Sequence, residues 1–432
     1  MNNCLVLKGN ICHTPGKKKI ETVENGYVVS VDGISQGIFR ELPEQYRGFP
    51  CRDFKDALIL PGMVDLHTHA SQFAYRGLGM DDELMVWLRK RAFPEESKFA
   101  DIEYAKKAYS IFADSLKRSA TTRAVIFATI HREATMLLME LLEETGIVSL
   151  VGKVNMNRNA PKSLCEPKGK KAAEETVCWI EEALAGDFRH TFPIVTPRFI
   201  PSCTDDFLEA LGKIARKYDL PVQSHLSENP DEGKFVAELM PDIAFYGEGY
   251  DRYGLFGKEV RTVMAHCVYS CPEEMELMKK NGVWIAHCPN SNMNIRSGIA
   301  PIRRYVDSGL KVGLASDVAG GMTLSIFRAI TEAVQMSKMY WRLVNQDEKA
   351  LTFPEAFYLA TKGGGSFFGK VGSFEKGYAM DAIVIDDAHL PRLQEYSLKE
   401  RLERAVNLGL DQGYLRAKYV EGRECLCTPD KT

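Results

Sequence analysis

Short apolar runs separated by longer segments with helical periodicity dominate the chain from residue 57 onward. In the segments DIEYAKKAYSIFADSLKRSA and CTDDFLEALGKIARKYD, apolar residues recur at the three- and four-residue spacing of an amphipathic helix. Eight such runs, alternating with helices, predict an α/β fold whose parallel strands close into a (β/α)8 barrel of the TIM type. The runs span 57–67, 121–130, 147–156, 191–199, 220–226, 261–267, 283–289 and 311–317.

The two ends of the chain show a different pattern, with short strand-like alternations and turn residues. Near the N-terminus, Asp32 and Gly33 separate two apolar runs and indicate a hairpin. Toward the C-terminus, VGSFEKGYAMDAIVIDD again favours strand structure, and KYVEGRECL favours another pair of strands linked by a turn. We therefore expect both termini to form one small β-sandwich domain, built from 1–60 and 371–432, beside a catalytic barrel of 61–370.

Composition and charge exclude several classes of partner. The net charge of -3 over 432 residues gives no reason to expect nucleic acid or an anionic membrane. No apolar run approaches the roughly 20 residues of a membrane-spanning helix, and the N-terminal MNNCLVLKGN lacks the pattern of a signal peptide. The eleven cysteines are odd in number and scattered, unlike a disulfide framework or a structural zinc site. Reduced thiols and a cytoplasmic location are therefore expected.

Polar residues that bind metals stand at the carboxyl ends of several predicted strands. The first strand ends in His67 and His69, which lie two residues apart and therefore point to the same side. The fifth, sixth and eighth strands end in His225, His266 and Asp317. One such histidine alone is usually a structural residue, but barrels of this kind collect their chemistry at this end. The combination predicts a metal site.

The residue types also indicate which metal and which chemistry. Imidazole and carboxylate ligands with a position left for water suit zinc or iron rather than calcium or magnesium. Such a cation supplies hydroxide at neutral pH, and Glu228, three residues after His225, is a candidate to carry protons. The alternative for Glu228 is a solvated loop carboxylate beside Asp231 and Glu232. Asp317 is a candidate both for binding the metal and for accepting a hydrogen bond from the attacking water.

The remaining histidines have a weaker claim to the site. His131 and His287 end the second and seventh strands, where they are candidates for contact with the pocket from behind the ligands. His13, His190 and His389 lie outside the pattern and are expected to be structural or exposed. The HRE sequence that begins at His131 fits the HxE of small zinc nucleoside deaminases, but the chain contains no PCxxC, which excludes that family.

Five motifs, PGMVDLHTH, SHLSE, MAHC, HCPNSN and SDVAGG, occur in this order and resemble the amidohydrolase superfamily. The resemblance is to its single-metal aminohydrolases. Within that group HASQFAYRG, WLRKRAFPEE and TPRF resemble the branch that deaminates guanine, and the likeness covers most of the chain. One departure is Ser316 in SDVAGG, where threonine is common; it leaves the neighbouring aspartate in place.

The resemblance implies one Zn2+ per chain, with Fe2+ as a possible substitute. It implies Glu228 as the proton shuttle and His266 as a hydrogen-bond partner of the attacked centre or its hydroxide. It also implies that the purine is held by Gln72, Arg198 and Phe199, together with three residues of the metal centre, His225, Glu228 and Asp317. The implied metal ligands are His67, His69, His225 and Asp317.

These substrate contacts are chemically reasonable, although the spacing alone would leave each one as an ordinary loop residue. Arg198 offers paired planar donors for the carbonyl face of a purine. Gln72 has both a donor and an acceptor for an amide-like edge, and Phe199 can pack on the ring.

The implied reaction is zinc-dependent hydrolysis of guanine to xanthine and ammonia. One alternative is a related aminohydrolase or chlorohydrolase acting on another heterocycle, such as a triazine, a pterin or an adenosine derivative. A second alternative, from a different class, is a non-catalytic scaffold on the same fold. The resemblance further implies a homodimer that binds a small-molecule substrate. Neither nucleic acid nor a membrane is expected as a partner.

Overall fold

The computed structural model describes residues 4–428. Its strands fall into two groups, one drawn from both ends of the chain and one from the middle. The strands are β1 (Cys4–Gly16), β2 (Lys19–Val31), β3 (Ile34–Phe39), β4 (Cys51–Pro61), β5 (Met63–His69), β6 (Thr121–Phe127), β7 (Val148–Gly152), β8 (Val154–Asn155), β9 (Thr191–Pro193), β10 (Thr196–Pro197), β11 (Val222–Leu226), β12 (Thr262–His266), β13 (Trp284–His287), β14 (Lys311–Leu314), β15 (Ala382–Ile385), β16 (Leu415–Val420) and β17 (Arg423–Cys427).

Helices separate the central strands along the chain. They are α1 (Leu84–Trp87), α2 (Phe93–Ser97), α3 (Ile102–Arg118), α4 (Arg132–Glu143), α5 (Lys170–Ala185), α6 (Asp205–Lys217), α7 (Pro230–Leu239), α8 (Tyr246–Arg252), α9 (Pro272–Asn281), α10 (Pro289–Asn294), α11 (Ile302–Asp307), α12 (Ile326–Leu343), α13 (Phe353–Tyr358) and α14 (Leu398–Asn407). The two segments with helical periodicity correspond to α3 and α6. No helix among the described residues is long and apolar enough to cross a membrane.

Eight of the central strands form two parallel four-stranded sheets, in the orders β5-β6-β7-β9 and β11-β12-β13-β14, and the short strands β8 and β10 pair with each other. Each of the eight predicted runs contains a strand. Backbone hydrogen bonds connect the two sheets on both sides. On one side Val195 donates to Pro221 (2.9 Å) and accepts from Gln223 (3.0 Å); on the other Asp317 donates to His67 (2.9 Å). The chain therefore has the α/β architecture that the alternation of strands and helices predicts.

The first predicted run, 57–67, is two strands rather than one. Its first part belongs to β4 and its second part to β5, with Gly62 between them. A β-carbon at Gly62 would lie 2.2 Å from Oγ1 of Thr122, so the backbone can pass from one sheet to the other only without a side chain there. The apolar run is continuous because both strands are buried, which is why the sequence pattern did not reveal the break.

The terminal strands form a single seven-stranded sheet in the order β17-β16-β15-β4-β1-β2-β3. Two predicted hairpins are confirmed, since β2 pairs antiparallel with β3 and β16 with β17. The tail also contains α14, which the strand-like pattern did not predict. Its start has a recognisable signal, because Ser397 and Glu400 form a capping box.

One irregularity lies directly before the two histidines of β5. Between Asp65 and Thr68, β5 advances three residues while the paired β6 advances two. Such an extra residue is a β-bulge, which turns the side chains that follow it. Asp65 is itself buried and accepts hydrogen bonds from the backbone N–H groups of His67 (3.2 Å) and Ser316 (3.0 Å). The bulge and Asp65 thus fix β5 against the segment after β14.

Candidate active site

Three histidines and one aspartate, from β5, β11 and the segment after β14, converge on one point. Nε2 of His69 lies 3.2 Å from Nε2 of His67 and 3.3 Å from Nε2 of His225. Oδ1 of Asp317 lies 3.2 Å and 3.4 Å from the Nε2 atoms of His67 and His69. The sequence predicted all four as neighbours, and the structure brings them together.

This arrangement fits a tetrahedrally bound cation. Four ligands about 2.1 Å from a zinc ion lie about 3.4 Å from one another, close to the separations found here. The chemistry of the donors also agrees, because burial, reinforced by neighbouring imidazoles, lowers the pKa of His69 and His225 well below the ordinary value. Burial alone would raise the pKa of Asp317, but His67, His266 and Ser291 together outweigh it and the pKa falls to about 2. Neutral imidazoles and an ionised carboxylate are the forms that bind metals.

Glu228 and His266 lie beside this cluster. Oε2 of Glu228 is 3.5 Å from Nε2 of His266, and its Oε1 accepts a hydrogen bond of 3.1 Å from Ser297. Nδ1 of His266 donates to Oδ1 of Asn292 at 2.9 Å, which directs Nε2 toward Glu228 and Asp317. Burial raises the pKa of Glu228 to about 7. A solvated loop carboxylate would not be buried in this way, so that alternative for Glu228 is wrong.

The ends of the strands that carry these groups have unusual backbone conformations. Ser227, His266, Cys267 and Asp317 all have positive φ angles, between 43° and 72°. Non-glycine residues adopt this conformation at some energetic expense, and such residues cluster at active sites. Four of the twelve non-glycine residues with positive φ among residues 4–428 therefore lie where the chain turns side chains toward the pocket.

The three predicted substrate contacts lie in the same pocket. Gln72 and Arg198 are almost fully buried and Phe199 is half-buried, and all three line the cavity together with His69, Glu228 and Asp317. Nε2 of Gln72 donates to Glu96 at 2.8 Å, and Nη1 of Arg198 donates to the same carboxylate at 2.6 Å. Glu96 was not predicted as a site residue, although its FPEE segment served as a family marker.

The sequence reasoning also missed the apolar wall of the pocket. Leu84, Trp87 and Leu88, from α1 and the π-helical turn after it, and Ile295 line the cavity opposite the polar groups. Their spacing is that of an ordinary amphipathic helix, so nothing in the pattern separates a pocket wall from a core. An apolar wall facing a few convergent polar groups is typical of a small-molecule site.

The other histidines do not line the pocket. For His131 and His287 a position behind the ligands stays a prediction; burial, reinforced by His266, lowers the pKa of His287 to about 3. His13 is buried 3.5 Å from Glu21, in the terminal sheet. His190 is also buried, whereas His389 is exposed.

Comparisons with known proteins show the family of this chain. Residues 58–418 match the model of the amidohydrolase family. The chain is 33% identical to a guanine deaminase of Dictyostelium discoideum over 97% of each protein, and 37% identical to that of Homo sapiens over 84% of this chain and 80% of the relative. A crystal structure of guanine deaminase from C. acetobutylicum, with guanine bound in its active site, superposes with a TM-score of 0.94 at 45% identity, covering 98% of this chain and 99% of the other. The chain belongs to the amidohydrolase family.

Proposed function

We propose that this protein hydrolyses guanine to xanthine and ammonia. The observation that carries the proposal is a single buried pocket in which a cluster of three imidazoles and Asp317 faces Glu228, with Gln72 and Arg198 on its wall. The relatives named above are guanine deaminases, and one of them contains guanine in its active site. This reaction needs a set of metal ligands, a carboxylate that can take up and release a proton, and a planar side chain that binds a carbonyl group.

One zinc ion is proposed as the cofactor, with iron(II) as a possible substitute. When bound, such a cation lowers the pKa of water and supplies hydroxide near neutral pH. His225 is held for this task by its other ring nitrogen, which donates to the backbone oxygen of Arg198 at 2.7 Å. The proposed ligands are His67, His69, His225 and Asp317.

Glu228 is proposed to move the protons. Its raised pKa, about 7, allows the carboxylate to take a proton from water and the carboxylic acid to give one back at neutral pH. It would protonate the ring nitrogen next to the amino-bearing carbon and then pass a proton to the departing ammonia. Nε2 of His266 lies 3.5 Å from Oε2 of Glu228, where it can hydrogen-bond the oxygen that adds to this carbon. The C–N bond breaks as the new carbonyl forms, so guanine and water give xanthine and ammonia.

Residues in the wall of the pocket are proposed to determine which heterocyclic ring is bound. Arg198 would donate to the purine carbonyl through its planar guanidinium. Gln72 would pair with an amide-like edge, and Phe199 would pack on the ring face. The carbonyl group distinguishes guanine from adenine, which carries no oxygen on its ring.

The finer architecture is also a proposal. We propose that the two central sheets close into a (β/α)8 barrel of 61–370, supported by the hydrogen bonds of Val195 and Asp317 that join their edges. The terminal sheet would belong to a small β-sandwich domain built from 1–60 and 371–432. A homodimer is expected from the family resemblance. A cytoplasmic location is supported by the eleven cysteines, all of which are unpaired.

The decisive experiment measures ammonia release from guanine beside adenine, cytosine and an aminated triazine, using protein whose metal content has been determined. We expect about one zinc per chain, turnover of guanine, and loss of turnover in Glu228→Gln. Turnover of another ring with guanine untouched would replace guanine as the substrate. Protein that binds no zinc or iron, and whose activity does not respond to Glu228→Gln, would be a non-catalytic scaffold.

A further inference from the structure

Glu96 is a buried carboxylate on the wall of the pocket, and the reaction as described does not use it. Glu96 lies on α2, between β5 and α3, and is 1% exposed. Each of its oxygens has one partner: Oε1 accepts from Gln72 at 2.8 Å and Oε2 accepts from Arg198 at 2.6 Å. These two partners are the residues proposed to recognise the purine.

Glu96 leaves the amide of Gln72 only one possible orientation. Nε2 must face Glu96, because a carboxylate only accepts hydrogen bonds. Oε1 accepts from the backbone N–H of Ala319 at 3.3 Å, so the opposite end of the amide is also specified. Reversing the amide would place its oxygen against the carboxylate and its NH2 group against an N–H donor. The donor and acceptor that Gln72 offers to a ligand are therefore fixed before the ligand arrives.

The same carboxylate fixes Arg198. It takes one end of the guanidinium fork through Nη1, and the ring of Phe93 lies 5.1 Å below the guanidinium carbon. Within residues 4–428, no other side chain accepts a hydrogen bond from this guanidinium, which leaves the rest of the fork for a ligand in the pocket. Glu96 also compensates the charge of Arg198, so the wall as a whole suits a neutral ring that carries a carbonyl group.

We propose that Glu96 is a positioning residue that holds Gln72 and Arg198 in the orientation that binds a ring carbonyl. In this way Glu96 determines which ring the pocket accepts. This inference rests on the proposed function, because it assigns a role within the same site. Glu96 does not touch the reacting atoms; it acts through the two side chains that it orients. The energetic benefit is preorganisation, since Gln72 and Arg198 lose no conformational entropy when the substrate binds.

The test compares Glu96→Gln with the matched control Glu95→Gln. Glu95 is the adjacent carboxylate on α2, but it turns away from the pocket to Lys98 and Tyr104. For Glu96→Gln we expect kcat/KM for guanine to fall about 10- to 100-fold, mainly through KM, as expected when charge-assisted hydrogen bonds are lost. Glu95→Gln should behave as the wild type.

Inhibition constants separate positioning from general damage. Hypoxanthine carries the ring carbonyl without the amino group, whereas purine lacks both. The wild type should bind hypoxanthine more tightly than purine, and Glu96→Gln should reduce this ratio about tenfold or more toward one. A purely structural role would weaken both inhibitors equally and leave the ratio unchanged. An unchanged ratio, or the same loss in Glu95→Gln, overturns the proposal.

A measurement on the unmodified protein keeps the proposal testable if the Glu96→Gln protein does not fold or loses zinc. Crystal structures of the zinc-loaded wild type, free and with hypoxanthine, should show both hydrogen bonds of Glu96 in place, with Gln72 and Arg198 in the same orientation. Reorientation of either side chain on binding would overturn the inference. If the wild type leaves guanine untouched, the proposed function fails; if guanine is turned over and the inhibitor ratio does not change, only the role of Glu96 fails.

Discussion

Nδ1 of His225 lies 2.7 Å from the backbone oxygen of Arg198, so a hydrogen bond joins a metal-binding candidate directly to a substrate-binding candidate. A carbonyl oxygen can only accept, and Nδ1 therefore carries the hydrogen while Nε2 presents its lone pair to the cluster. The segment that places Arg198 in the pocket wall thus also sets the tautomer of His225. This hydrogen bond connects the metal-binding part of the proposed site to its substrate-binding part.

Replacing His225 with alanine is expected to remove bound metal and activity together. The variant leaves His67, His69 and Asp317 as an incomplete ligand set, so zinc per chain should fall well below one and kcat/KM should drop more than about 100-fold. Elemental analysis and ammonia release measure the two quantities. His389→Ala, at an exposed histidine far from the cluster in sequence, is the control. A fully zinc-loaded His225→Ala protein would argue against this ligand set.

Activity is expected to decline on the acid side because Glu228 must be ionised to accept a proton. Burial raises the pKa of Glu228 to about 7, and the positive charge of a bound cation would lower it again. We therefore expect kcat/KM for guanine to fall about tenfold per pH unit below an apparent pKa between about 6 and about 7. A pH profile at constant zinc content checks this. A flat profile between about pH 8 and about pH 5 is incompatible with Glu228 as the shuttle.

The parts of the site that the sequence predicted share one property: each stands at the carboxyl end of an apolar run. His67, His69, His225, His266 and Asp317 could be placed together because parallel strands bring these ends to one edge. The apolar runs also predicted the alternation of strands and helices in the central part of the chain. Family likeness was needed for Gln72, Arg198 and Phe199, whose spacing carries no signal of its own.

What the sequence could not show depends on contacts between distant segments. Glu96 looks like one of many helical glutamates, and only the fold places its two oxygens against residues 24 and 102 positions away. The bulge in β5 and the break at Gly62 are likewise set by neighbouring strands, which local apolar patterning does not record. The capping box at Ser397 is a local signal, and it would have identified α14 in the tail.

Replacing Gly62 with alanine is expected to destabilise the fold. The new β-carbon would lie 2.2 Å from Oγ1 and 2.3 Å from Cγ2 of Thr122, closer than any ordinary contact, so the link between β4 and β5 must shift. Overpacking of this kind lowers the free energy of unfolding by about 1–3 kcal/mol. Thermal or urea unfolding measures the effect. Gly48→Ala, where no neighbouring atom lies within 4 Å, is the control and should change little.

Lys418 makes the terminal sheet sensitive to pH. It is fully buried on β16 and donates to the backbone oxygens of Leu116 (3.1 Å) and Thr121 (2.8 Å). Burial lowers its pKa from 10.5 to about 7. The folded protein therefore loses this proton more readily than the unfolded chain does, and stability is reduced below pH 7, where Lys418 is charged in both states.

The sign of the effect follows from this difference. As the pH rises from 7 toward 10.5, the unfolded chain still binds the proton and the folded protein does not, so stability increases. We expect the wild type to gain stability relative to Lys418→Met by about 1 kcal/mol per pH unit in the middle of this range. Urea unfolding of both proteins at several pH values measures the difference. Lys213→Met, at an exposed lysine on α6, should show a constant difference, and a constant difference for Lys418→Met as well would contradict the depressed pKa.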